Sequence, residues 1–265
     1  MSAAHTSAAE RDVTVYPTTA VVVLLWDRRV VLPPQRIPGF GECPCSPGTP
    51  PAGVEFRPER FRDLSPDGRR LIQRWAKKAG DALPPSATQE QSWPTSQAGR
   101  ANAFEAFIYA WISFNGWASC CLEDEQDSLL VRVLRTERSL CDTFDNLVRN
   151  DLQVAHSLQR FHALWPIFRA ADVRSGHLPG EPRAIRVRRY AVDFPHAGRA
   201  PNCHLRHVEV DLPADWGHAL AALYQVRCNL FHGTKSVFGI EDREIVDSAA
   251  GVLVPMVRRL VLGPQ

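Results

Sequence analysis

Arg227 and His232, separated by Cys228, Asn229, Leu230 and Phe231 and followed by Gly233, are the residues of this chain best suited to chemistry. Arginine is a permanent cation that grips phosphate oxygens, and imidazole exchanges protons near neutrality. Together they are the minimum equipment for cleaving a phosphodiester without metal. On a helix, residues five apart differ by about 140° around the axis, so one protomer does not present both from a single face. The carbonyl end of a helix favours imidazolium, a useful bias for a group that must take and give protons. One histidine cannot readily act as base on a 2′-hydroxyl and acid on a leaving 5′-oxygen at the same moment, whereas a symmetric dimer supplies two copies. The duller alternative is that arginine and histidine near a helix end are commonplace, and spacing alone does not separate the two.

The elements that must position this motif read as helices. Asp215 suits an N-cap, and Ala219, Ala222, Leu223, Val226 and Leu230 make one apolar face ending at Gly233, a natural left-handed C-cap. A final helix from about Glu241 carries Ile245, Ala249, Val252, Leu253, Met256 and Leu260, with a kink expected at Pro255. Upstream, Phe104, Phe107, Ile108, Trp111, Asn115 and Ala118 recur at intervals of three and four. Asn115 interrupts that stripe with an amide, either satisfied locally within a core or lining a site. A second helical region starts near Asp127, a suitable N-cap, and carries Leu130, Val133, Leu134, Leu140, Phe144, Leu147 and Val148. A third starts near Asp151 and aligns Leu158, Phe161, Trp165 and Phe168, with Pro166 bending or ending it.

Residues 175–213 break this rhythm with Gly, Pro and His and with short-strand patterns at Ile185–Val192 and Leu205–Val210. Between Arg183 and Arg206 there are six arginines against the single acid Asp193. That segment, with Arg186, Arg188 and Arg189, is either an RNA-contacting arm or a solvated loop. The first hundred residues differ again. Val21–Leu25 and Val30–Leu32 suggest a hairpin, and residues 33–51 hold seven prolines. Ser65 and Pro66 then start a helix with Leu71, Trp75 and Ala79 on one face. Residues 84–99, rich in Pro, Ser, Thr and Gln, mark a boundary between an accessory region, 1–99, and a helical domain, 100–265. The expected architecture is mainly α: an up-and-down bundle of four to five helices with a loop and short-strand insertion, preceded by a small mixed region.

Composition narrows the function classes. The chain is 45% hydrophobic with a net charge of +2, so bulk charge does not announce a nucleic-acid binder. The longest apolar run, Ala20–Trp26, is too short to span a bilayer, and no secretion signal opens the chain. Seven cysteines, with Cys120 and Cys121 adjacent, are not a disulfide framework, so a reducing cytoplasm is expected. Cys43-Pro44-Cys45 lacks a second pair at zinc-like spacing, and Glu123, Asp124, Glu125 and Asp127 read as a solvated acidic turn, with metal binding the alternative. No metal or cofactor is expected, and no phosphate-binding glycine loop or nucleophile elbow is present.

Leu223–Lys235, with its Arg-x4-His spacing, resembles the HEPN (higher eukaryote and prokaryote nucleotide-binding) domains, and Phe104–Trp117 resembles the first helix of their Apea-like kind. The resemblance covers roughly residues 100–262. It implies a homodimeric, metal-independent endoribonuclease in which Arg227 polarises the scissile phosphate and His232 does general acid–base work. A polar residue often follows the motif arginine in that family. Here Cys228 stands there, which leaves the orienting role to Asn229 or weakens activity. Lys235, Arg186, Arg188, Arg189 and Asn115 are the candidate substrate-binding residues. The family also implies toxin or phage-defence biology, with an antitoxin or partner protein encoded elsewhere, and it includes non-catalytic members that bind RNA or protein.

Overall fold

The computed structural model describes residues 53–83, 97–169, 214–231 and 240–263. Among them are eight helices and no strand: α1 Glu59–Asp63, α2 Pro66–Ala82, α3 Gln97–Leu122, α4 Asp127–Leu134, α5 Arg138–Asn150, α6 Leu152–Ala163, α7 Trp216–Phe231 and α8 Ile240–Leu262. The protein is thus mainly helical. The anticipated hairpin in 21–32, the proline-rich stretch 33–51 and the insertion 175–213 lie outside the described residues. No described helix is long and apolar enough to cross a membrane.

Helix starts follow local capping chemistry. Ser65 Oγ accepts from Gly68 N at 3.3 Å with Pro66 at the first helical position. Asp151 Oδ1 accepts from Gln153 N and Val154 N at 2.9 and 3.2 Å, and Asp215 Oδ1 accepts from His218 N at 2.9 Å. Glu137 caps α5 through Ser139 N. That cap and the turn before it divide the single helical region anticipated from Asp127 onward into α4 and α5.

Two long helices form the centre. α3, about 39 Å long at 1.5 Å per residue, packs against α1, α2, α4 and α8. It is buried around most of its girth rather than along one stripe: Ala103, Ala106, Ala110, Ser113 and Trp117 are as enclosed as Phe107 and Trp111. α8 packs against α2, α3, α5, α6 and α7 and runs continuously through Pro255. Gly251 lets α6 come close, since a Cβ there would lie 2.7 Å from Ser157 Cβ.

α2 belongs to this core. It lies on α3 and α8, and Ser113 Oγ donates to Ile72 O at 2.9 Å in a buried bond. The compact unit Glu42–Gln265 therefore runs through the 99/100 boundary read from composition. The buried face of α2 is also rotated from expectation. Ile72, Ala76 and Ala79 are enclosed, whereas Leu71 is 55% exposed. Both 71/75/79 and 72/76/79 satisfy helical spacing. Docking on two neighbours selects the set with small residues, because alanines let helix axes approach.

Candidate functional site

The C-terminal half of α7 presents two faces. Tyr224, Arg227, Cys228 and Phe231, at i, i+3, i+4 and i+7, share one of them. Arg227 Nη2 lies 2.6 Å from Asp127 Oδ2 on the first residue of α4. This is a close charge contact rather than an angularly ideal hydrogen bond, and the side chains are only 24% and 14% exposed. The guanidinium carbon also sits 4.8 Å from the Phe231 ring centroid. Tyr224 completes the group. Its ring lies 6.1 Å from that of Trp111 on α3, and Cys228 stands one helical turn further on. Burial first, then Cys228 and Asp127, push the Tyr224 phenol up to about 12 against a smaller opposing pull from Arg227. It stays neutral at physiological pH.

The other face of α7 is structural. Asn229 is 3% exposed, donates from Nδ2 to Phe168 O at 2.8 Å and accepts from Gln225 Nε2 at 3.1 Å. Two positions along a helix is about 200° of rotation, so Asn229 is turned away from Arg227. The core engages the amide proposed for an orienting role. Asn115 is half-buried on α3, one turn beyond Trp111, and its amide makes no hydrogen bond among the described residues. The site therefore brings together Arg227 with Asp127, Tyr224 and Phe231, and places Asn229 apart from them. His232, Lys235, Arg186, Arg188 and Arg189 lie outside the described residues.

Sequence reasoning passed over Asp127 and Phe231. The i, i+3, i+4, i+7 pattern that starts at Tyr224 is a signal for Phe231. Asp127 carries none, because the acidic turn it belongs to looks uniformly solvated. In the structure the cluster is divided among tasks. Glu123 Oε2 pairs with Arg60 Nη2 at 2.9 Å, Asp124 Oδ1 accepts from Gln126 N at 2.7 Å, and Asp127 takes Arg227 instead of capping α4.

A double-mutant cycle on Asp127→Ala and Arg227→Ala is expected to give a coupling of about 1–3 kcal/mol in urea unfolding, between the values for exposed and buried pairs. Additive single effects would show that the contact contributes nothing to holding Arg227 in place.

A second titratable cluster lies between α6 and α8. Burial pushes the Asp247 carboxyl up to about 6, and Glu244 adds to the push, against the opposing pull of Arg160 and Arg243. Asp247 Oδ1 has no hydrogen-bond partner among the described residues. A folded-state pKa above the unfolded value means that the native state holds the proton more tightly. The resulting stabilisation is present at low pH and is lost as pH rises through about 6. Asp247→Asn should therefore gain urea resistance over the parent at about pH 7.5, with the gap closing near pH 4.5. An equal gap at both values would rule out titration as its source.

No protein-family model matches this chain, and neither a curated protein nor a solved structure matches it.

Proposed function

We propose that this protein is a metal-independent endoribonuclease of HEPN type that acts in the cytoplasm as a homodimer. The observation that carries the reading is the placement of Arg227. It stands near the end of a well-packed helix, five residues before His232, oriented by Asp127 and Phe231. A guanidinium has five donor N–H groups, so the Asp127 contact leaves others for phosphate oxygens. In the proposed reaction the 2′-hydroxyl of RNA attacks the adjacent phosphorus while one copy of His232 takes its proton. The P–O5′ bond breaks, and the other copy across the two-fold axis protonates the leaving oxygen. The products are a 2′,3′-cyclic phosphate and a 5′-hydroxyl. Lys235, Arg186, Arg188, Arg189 and Asn115 are the proposed RNA contacts, and a toxin or phage-defence setting with a separately encoded antitoxin fits such an activity.

A second reading has its own support. The half-buried pairing of Arg227 with Asp127 and the core bonding of Asn229 are what a non-catalytic RNA- or protein-binding dimerisation module would show. The deciding experiment incubates the purified protein with mixed single-stranded RNA in EDTA and analyses the product ends. Cyclic phosphate ends support the nuclease. Intact RNA under conditions where the protein binds it supports the binding module.

A further inference from the structure

Among the described residues, Phe231 is the one large aromatic side chain that is exposed, with 50% of its surface open at the last residue of α7. An exposed phenyl ring costs solvation, and among the described residues the guanidinium of Arg227 lies over it at 4.8 Å. Cation and ring are thus presented as a unit, with the acid–base candidate His232 next in the chain. A nucleotide has a matching layout, an anionic phosphate beside a flat π-face.

We infer that Phe231 is a stacking platform for an unpaired nucleobase of single-stranded RNA, adjoining the phosphate that Arg227 grips. The inference rests on the ribonuclease reading and deepens it by assigning a base-contacting residue beside the phosphate site. In a duplex, base faces are covered by their neighbours, so a ring at this position selects loops, bulges and single strands. Every base has a π-face, so the platform discriminates by strandedness and tolerates sequence. Phe231 is half exposed and outside the enclosed core of the described residues, so its truncation is expected to leave the fold intact.

The test uses full-length His232→Ala protein, which holds RNA without cutting it, and compares it with versions also carrying Phe231→Ala or Phe231→Trp. Affinity for a short labelled single-stranded RNA is read by fluorescence anisotropy in EDTA, alongside oligomeric state by size exclusion. Phe231→Ala should weaken binding by roughly tenfold or more, as loss of one stacked base does, and Phe231→Trp should restore it. One abasic position in the RNA should weaken binding to the parent and cost nothing further with Phe231→Ala. Unchanged affinity in Phe231→Ala would overturn the platform while leaving the nuclease reading in place. Failure of the parent to bind any RNA would remove both. Loss of dimer in Phe231→Ala, with affinity per folded dimer unchanged, would assign the ring to a contact between copies and overturn the inference.

Discussion

His232→Ala is expected to lower RNA cleavage by roughly a hundred- to ten-thousand-fold, the usual share of general acid–base catalysis, without altering the unfolding midpoint. The physical reason is specific. An Arg–phosphate contact stabilises charge in the ground state and the transition state alike, whereas attack by a 2′-hydroxyl needs a proton removed and another delivered as bonds change. Alanine leaves binding in place and removes proton transfer, so the loss should fall on kcat rather than KM. Arg227→Ala should reduce activity as well, but with a fall in stability, because Asp127 would be left half-buried without its cation. Activity that survives in His232→Ala protein would point to another catalytic group. A large drop in melting temperature would make His232 a packing residue and favour the binding module.

Trp216→Ala should be the most damaging single truncation in the described core, at about 3–5 kcal/mol. Trp216 is fully enclosed at the start of α7, and its ring lies 5.5 Å from that of Phe144 and 6.3 Å from that of Phe114. Its indole Nε1 donates to Leu134 O at 2.9 Å at the end of α4. Alanine would therefore open a cavity between α3, α5 and α7 and remove one of the two donors to the Leu134 carbonyl, which keeps Glu137 N at 3.3 Å. The melting temperature should fall by on the order of 10 °C. Trp216→Phe keeps most of the volume and loses the donor, so it should fall between the two. A loss under about 1 kcal/mol for the alanine variant would mean that the bundle collapses into the space at little cost. Because α7 carries Arg227 on its other end, the same variant should also loosen the Arg227–Asp127 contact.

The order of helices was written locally. Ser65, Asp151 and Asp215 each satisfy amide groups two or three residues ahead, so a short window of sequence contains both donor and acceptor. Apolar spacing likewise marks α3, α7 and α8, since a helix must bury a contiguous face whatever it packs against. Which residues meet across the bundle was not written locally. α2 turned its 72/76/79 face inward because two neighbouring helices demanded small side chains there, a demand absent from α2 itself. Asn229 found Phe168 O, and Asp127 found Arg227, only because α7 docks against the start of α4 and the segment after α6. Charge partners far apart in the chain carry no mutual signal in composition or period. Their pairing comes from how helices stack, and the partner that holds Arg227 is a property of the tertiary fold alone.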